Sequence, residues 1–149
     1  NYDRDLWGPF IGSRVPEADE SSVIKNFSDY WMESWGVNLG AKTNDYDLDG
    51  LGNLLEYALG GDPTDGGNVG MPPVFQRDGN SFEYAHVVRN DDSDLEYTVQ
   101  SSTNLVTGPW ETASYTASST NSVDPVFNGV SRWLPIQDTN AFYRLKVEQ

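Results

Sequence analysis

The hydrophobic positions of the chain follow a helical period in its first half and a period of two in its second half. Between residues 22 and 35, apolar and aromatic side chains recur three or four positions apart, which predicts an amphipathic helix that Gly36 ends. A second, shorter helix is predicted to begin near Leu51. It should end before the Gly-Gly-Asp-Pro sequence at 60–63, because glycine suits the left-handed position after a helix and proline prevents its continuation.

After residue 73 the alternation of apolar and polar residues predicts strands that have one buried and one exposed face. The predicted strands lie at Val74–Arg77 and near 82–89, 95–100, 109–115, 126–136 and 142–148. Asp78-Gly79, between the first two runs, predicts a hairpin turn. Five or six short strands separated by turn residues favour an antiparallel β-sandwich.

These elements divide the chain into three parts. Residues 1–65 hold the N-terminal segment with both helices and an acidic loop, residues 66–73 are a predicted linker rich in glycine and proline, and residues 74–149 form the predicted β-sandwich domain. The predicted fold class is therefore mainly β (α+β), an antiparallel β-sandwich preceded by a short helical unit. Trp31 and Trp35 are expected to anchor the first helix to the β-domain, and Trp7 to anchor the N-terminal segment.

The composition is strongly acidic, with 9 Lys and Arg residues against 23 Asp and Glu residues and a net charge of −14. Such a surface repels polyanions, so neither nucleic-acid binding nor attachment to anionic membranes is expected. No apolar run approaches the ~20 residues of a membrane-spanning helix, so membrane insertion is not expected. Cysteine is absent, which excludes disulfides and thiolate metal sites. The chain opens at Asn1 without a signal peptide and is interpreted as a mature or excised piece of a longer protein.

The acidic loop between the predicted helices has the oxygen pattern of a twelve-position EF-hand calcium loop. Its glycine, Gly50, stands at position six, where the chain must turn sharply. The predicted Ca²⁺ ligands are Asp45, Asp47 and Asp49, the backbone carbonyl of Leu51, Asn53 directly or through water, and both carboxylate oxygens of Glu56. The alternative is a solvated acidic turn, but three aspartates within five residues repel one another unless a cation is present.

The run from Asp45 to Asp65 resembles the bacterial form of the thrombospondin type 3 calcium repeat, and its loop is similar to the calcium loop of dockerins. With the small β-domain that follows, ending in Phe-Tyr-Arg-Leu at 142–145, the arrangement resembles C-terminal regions of large secreted bacterial proteins, many of which degrade polysaccharides. The resemblance implies a secreted, extracellular region that calcium stabilises. Only one acidic loop is present, so neither a repeat array nor a paired dockerin docking site is expected within this chain.

Catalytic chemistry has little support in the sequence, and the chain is not expected to be an enzyme. The one histidine, His86, shares a predicted strand face with Phe82, Tyr84 and Val88, which indicates a partly buried packing residue. Motifs for a serine or cysteine nucleophile and a histidine zinc site are absent. A pair of acids for glycoside hydrolysis is not excluded, because the separation of such a pair is spatial.

Exposed aromatic and basic side chains of the β-domain are the candidates for ligand binding. Strand alternation turns Trp133 outward, where it could stack on a sugar ring, and it turns Phe142, Arg144 and Lys146 outward on the last strand. The two cations suit the carboxylate or sulfate groups of an anionic polysaccharide. The alternative is that Trp133 and Trp110 only complete the core or cover a sheet edge.

The function predicted from these observations is that of a non-catalytic, secreted accessory module, stabilised by Ca²⁺, that binds polysaccharide as part of a larger extracellular enzyme. The partners expected are therefore a polysaccharide and a fused catalytic domain. The alternative is a structural subunit that associates with copies of itself in an extracellular or cell-surface assembly, by strand addition at open sheet edges.

Overall fold

The computed structural model describes residues 26–136 and 140–149. The first residues of the helix predicted at 22–35, and the predicted anchor Trp7, lie outside this part of the chain. The described chain is mainly β, with two short helices and two antiparallel sheets. In chain order the elements are α1 (Phe27–Ser34), α2 (Asn53–Leu59), β1 (Val74–Asp78), β2 (Ser81–Arg89), β3 (Glu96–Ser102), β4 (Glu111–Thr112), β5 (Ala117–Ser122), β6 (Phe127–Pro135) and β7 (Phe142–Glu148).

The strands form a four-stranded sheet in the order β1-β2-β6-β5 and a three-stranded sheet in the order β4-β3-β7. The predicted hairpin is confirmed, since Asp78 pairs with Ser81 and Gly79 has a φ of 57°. The strand count exceeds the prediction because β5 was not predicted. All six of its residues are exposed, and its sequence Ala-Ser-Ser-Thr-Asn-Ser has no large apolar residue to give a period.

The main core lies between the two sheets, which confirms the predicted sandwich. Tyr84 and Leu134 of the four-stranded sheet pack against Val99 of the three-stranded sheet and against Ala113 just after β4. Leu134 and Val99 are fully buried. Partly buried residues that complete this cluster are Phe82, Tyr143 and Leu145.

Helix α2 packs against the end of the sandwich through a second apolar cluster, formed by Leu59, Val87 and Phe127. Gly60 ends the helix in the left-handed conformation, as the sequence predicted. Two of the last helical carbonyls, which have no partner within the helix, accept hydrogen bonds from the sandwich. Arg89 Nη1 donates to the carbonyl of Tyr57 at 3.1 Å, and Tyr97 Oη donates to that of Ala58 at 3.0 Å.

Helix α1 is joined to the sandwich through α2 and through the C-terminal residue. Its start is fixed by a capping box in which Asn26 and Asp29 exchange side-chain and backbone hydrogen bonds. The ring of Trp31 lies 5.4 Å from that of Tyr57 and 5.6 Å from that of Trp35, so the aromatic anchorage of α1 runs to α2. The side chain of Gln149 contacts α1 as well, where its Oε1 accepts a hydrogen bond from Ser28.

The segment 66–73, predicted as a linker, is held against α2 by backbone hydrogen bonds. Met71 N donates to the carbonyl of Leu59 at 2.9 Å, and Asp62 N donates to that of Asn68 at 3.0 Å. Gly70, with a φ of 68°, lies so close to the helix end that an added Cβ would stand 2.4 Å from the Leu59 carbonyl oxygen. The segment therefore fixes the end of α2 relative to β1.

Candidate metal centre

The acidic loop is folded by hydrogen bonds from its own backbone to its aspartates. Asp45 accepts from the amides of Asp49, at 3.2 Å, and of Gly50, at 2.9 Å, while Leu51 N donates to Asp49 Oδ1 at 2.7 Å. Gly50 has a φ of 96°, which a residue with a side chain rarely adopts. Leu48 also has a positive φ, of 65°, so the loop contains backbone strain between two of its aspartates.

The three aspartates converge on one point. One carboxylate oxygen from each of Asp45, Asp47 and Asp49 can be chosen so that all three oxygens lie within 4.8 Å of one another. In proteins, Ca²⁺ lies about 2.3–2.6 Å from each of its oxygen ligands. Oxygens at these separations can therefore all contact a single ion. The three carboxylates are therefore a candidate cation site.

Helix α2 adds the remaining side chains of the predicted ligand set. Asn53 and Glu56 are both fully buried. Asn53 Nδ2 donates to the carbonyls of Leu39, at 3.0 Å, and Ala41, at 2.8 Å, which fixes the orientation of the amide. Its Oδ1 is consequently free to accept.

Five buried oxygens of this group have no hydrogen-bond partner. They are Asp47 Oδ2, Asp49 Oδ2, Asn53 Oδ1, Glu56 Oε1 and Glu56 Oε2. Buried polar atoms are almost always paired, because an unpaired one loses its hydration without compensation. Carboxylate and amide oxygens are the ligands that Ca²⁺ prefers, so the chemistry of the residues present fits that ion.

Two carboxyl groups of the site have a raised pKa, mainly through burial and in part through the charges of their neighbours. Burial, and then the charges of the three loop aspartates and of Asp62, raise the pKa of Glu56 to about 7. Burial, together with the charges of its two neighbouring aspartates, also raises the pKa of Asp47, although a backbone hydrogen bond opposes the shift. A divalent cation would remove this repulsion by favouring the ionised forms.

The predicted ligands differ in how the structure places them. Asp45, Asp47 and Asp49 are brought together. Asn53 and Glu56 have unpaired buried oxygens on α2, and the charges of the three aspartates act on Glu56. Leu51, predicted to offer its carbonyl, is half-buried in the same loop. Sequence reasoning missed Asp62, which acts on Glu56 through its charge. The Gly-Gly-Asp-Pro sequence was a signal for it, but it was interpreted only as the end of the helix.

The candidate glycan-binding residues do not form one site. Trp133 lies on β6 of the four-stranded sheet, whereas Phe142, Arg144 and Lys146 lie on β7 of the three-stranded sheet. Arg144 stacks on Trp110, with its Cζ 4.2 Å from the ring centroid, and its Nε donates to Gln100 Oε1 at 2.9 Å. Lys146 forms an ion pair with Glu148 at 2.6 Å.

His86 is a core residue, 4% exposed. Its ring lies 6.0 Å from that of Tyr97 and 6.2 Å from that of Tyr84, and its Nδ1 is 3.0 Å from the carbonyl of Val87. Burial lowers its pKa, and the charge of Arg132 adds to that effect. These surroundings are those of a packed imidazole.

Comparisons with protein-family models, with curated proteins and with solved structures found no match. Within the described residues, neither helix is long and apolar enough to cross a membrane.

Proposed function

We propose that this chain is a non-catalytic module whose fold is stabilised by one Ca²⁺ ion bound between the acidic loop and α2. The observation that carries the proposal is the group of five buried side-chain oxygens, from Asp47, Asp49, Asn53 and Glu56, that have no hydrogen-bond partner. Further support comes from oxygens of Asp45, Asp47 and Asp49 that lie within 4.8 Å of one another, and from the charges of these aspartates acting on Glu56.

The proposed role of the ion is to fix α2 to the loop that precedes it. Glu56 belongs to α2, whereas the aspartates belong to the loop, so a shared ion ties the two segments together. The same helix accepts hydrogen bonds from Arg89 and Tyr97 of the sandwich. Calcium would therefore hold the helical unit in place on the β-sandwich.

An extracellular location fits this role. The loop resembles those of thrombospondin type 3 repeats and dockerins, and extracellular modules bind Ca²⁺ with dissociation constants of ~10⁻⁴–10⁻³ M. Extracellular calcium is sufficient to occupy such a site. A single loop without a paired partner also favours a structural ion over a sensor, because sensors open a groove between paired loops.

The proposal includes polysaccharide binding as an accessory to a larger secreted enzyme. Support comes from Trp133, an aromatic side chain of the four-stranded sheet that is only partly buried. A flat aromatic ring next to hydrogen-bonding groups is a suitable surface for the apolar face of a sugar.

Self-association is the second candidate function, and the exposed edge strand β1 favours it. Its residues are all exposed, including the apolar Val74 and Phe75, at 55% and 46%. Such an edge can pair with a strand from another molecule. Light scattering that shows a concentration-dependent rise in mass would support this function over the first.

The calcium proposal is tested by elemental analysis and titration calorimetry of the purified protein, combined with thermal melting in Ca²⁺ and in EDTA. We expect one ion per chain, and a stabilisation of ~2.7 kcal/mol when Ca²⁺ is at 100 times its dissociation constant. Glu56→Gln should weaken binding at least tenfold. The matched control is Glu96→Gln, because Glu96 is an exposed residue on β3. No bound ion and an unchanged melting midpoint would refute the proposal.

A further inference from the structure

The outer face of the four-stranded sheet, which points away from the core between the sheets, contains polar and aromatic side chains. Tyr84 and Leu134 point into the core, so their strand neighbours Glu83 and Trp133 point away from it. Glu83 and Trp133 are directly paired across β2 and β6. Helix α2 and the segment after it cover only one end of this face, over Val87 and Phe127, and the remainder borders solvent.

This uncovered part contains a shallow trough of about 190 Å³. Its floor consists of the small residues Ala85, Gly129 and Ser131, and Met71 and Asn121 belong to its walls. Gly129 has no side chain to fill the trough, and an added Cβ there would lie 3.0 Å from Asn121 Oδ1. A missing side chain in the middle of a strand often marks a place where a ligand approaches the backbone closely.

Trp133 lies two residues after Ser131 on the same face of β6, and a hydrogen bond orients its ring. Its Nε1 donates to Asp78 Oδ2 at 2.7 Å. Beside it, Glu83 accepts hydrogen bonds from Gln76, at 2.7 Å, and from the Ser131 hydroxyl. These bonds also lower the pKa of Glu83, so the residue stays an ionised acceptor. The surface therefore presents an aromatic ring in a defined orientation. The carboxylates of Asp78 and Glu83 beside it have lone pairs that can accept further hydrogen bonds.

The negative charge of this face favours a neutral ligand over an anionic one. Asp78 and Glu83 are its charged residues near Trp133, whereas the nearby cations are turned away or engaged. Arg132 alternates with Trp133 and stacks on Tyr115, with its Cζ 4.8 Å from the ring centroid, and Arg77 Nε donates to the Gly79 carbonyl at 3.2 Å. A ligand bearing carboxylates or sulfates would be repelled here, while sugar hydroxyls can donate to the carboxylates.

We propose that this face binds a neutral polysaccharide chain, with one sugar ring stacked on Trp133 and a neighbouring unit in the trough over Gly129 and Ser131. The inference rests on the polysaccharide binding included in the proposed function, and it assigns that binding to the four-stranded sheet. The surface around Arg144 and Lys146 is then not the binding site, although its cations were the sequence-based reason to expect an anionic glycan.

The test is affinity electrophoresis of the native protein in saturating Ca²⁺, in gels that contain one soluble polysaccharide each. The neutral probes are hydroxyethylcellulose, xyloglucan and galactomannan, and the anionic probes are alginate and carrageenan. We expect at least one neutral polymer to retard the protein. Trp133→Ala should weaken this retardation at least tenfold, and Glu83→Gln should also weaken it. Trp110→Ala, on the other sheet, should leave it unchanged.

Glu83→Gln keeps the test informative if Trp133→Ala fails to fold, and calcium binding by each variant reports on its folding. Retardation by anionic polymers only, or loss of retardation in Arg144→Ala but not in the Trp133 and Glu83 variants, would overturn this inference and leave the accessory role standing. Absence of retardation by every polymer would overturn both the inference and the polysaccharide part of the proposed function. The calcium part is judged separately by the titration.

Discussion

Tyr57 Oη donates a buried hydrogen bond to Asp92 Oδ2 at 3.0 Å, which connects α2 to the loop between β2 and β3. Asp92 is 3% exposed, and the same oxygen accepts from Gln149 Nε2 at 3.0 Å. Tyr57 directly follows Glu56 in the helix. The buried carboxylate proposed as a Ca²⁺ ligand is therefore adjacent to the residue that anchors the helix to the sandwich.

Replacing Tyr57 with Phe should lower the free energy of unfolding by about 1–3 kcal/mol, because the buried Asp92 carboxylate loses one of its donors. The measurement is urea unfolding in saturating Ca²⁺. Tyr46→Phe is the matched control, since Tyr46 is 48% exposed and should change stability by less than about 0.5 kcal/mol. Equal effects of the two substitutions would show that the bond to Asp92 contributes nothing.

The contribution of Glu56 to the stability of the calcium-free protein should fall as the pH rises from 5 to 8. The pKa of Glu56 is about 7 in the folded protein, above its ordinary value of 4.5. Between these values the native state holds a proton that the unfolded chain has released, so the free energy of unfolding falls with pH, by on the order of 3 kcal/mol in total. The measurement is the free energy of unfolding of the wild type and of Glu56→Gln in calcium-free buffer across this pH range. The difference between the two proteins gives the contribution of Glu56.

The affinity for Ca²⁺ should rise with pH, because the ion binds the ionised carboxylate of Glu56. Below pH 7 the dissociation constant should rise by about tenfold per pH unit for the single proton displaced from Glu56. Identical pH slopes of unfolding in the wild type and Glu56→Gln, together with a pH-independent affinity, would contradict this assignment of the proton.

The imidazole of His86 should titrate below its usual pKa of 6.5, since burial disfavours its charged form. The chain has one histidine, so its ring proton resonances in an NMR titration belong to this residue without further assignment. A lowered pKa means that the unfolded chain binds a proton more readily, and the contribution of His86 to stability is lost as the pH falls below 6.5. A midpoint at or above 6.5 would refute the expectation.

Replacing Leu48 with Asn should stabilise the protein by about 1 kcal/mol, because asparagine tolerates the left-handed conformation better than leucine does. Leu48 is 84% exposed, so little packing is lost. Leu48→Ala is the control, since it shortens the side chain and keeps the conformational cost. The measurement is the urea midpoint in saturating Ca²⁺, and an equal change in both variants would assign the effect to the side chain instead.

The sequence predicted the parts of the fold that short-range chemistry determines. The spacing of the aspartates predicted that Asp45, Asp47 and Asp49 would converge, and Gly60 predicted the end of α2, because both depend on neighbouring residues. Strand β5 has no hydrophobic period, and it exists because β6 offers a pairing edge. The stacking of Arg144 on Trp110 joins β7 to the residue before β4, which a single strand pattern does not reveal.

Whether the candidate glycan-binding residues share one surface likewise depends on the order of the strands in the two sheets. Alternation along one strand indicates that Trp133 or Arg144 points outward, but it does not tell which sheet each strand joins. The trough over Gly129 was also beyond prediction, since its walls come from β5 and from the segment after α2. That segment was predicted as a linker because its glycines and prolines favour turns, whereas Gly70 serves close packing against the helix end.

Strand β1 pairs with β2 only from Ser81 to Ala85, so the last residues of β2 extend beyond it. Helix α2 packs there, with Leu59 against Val87 and the carbonyl of Tyr57 on Arg89. An uncovered strand edge is a template for pairing with other chains and hence for aggregation. If the ion holds α2 in place, it also protects the protein from aggregation, and calcium-depleted samples should become turbid on warming before they lose their β-sheet circular dichroism.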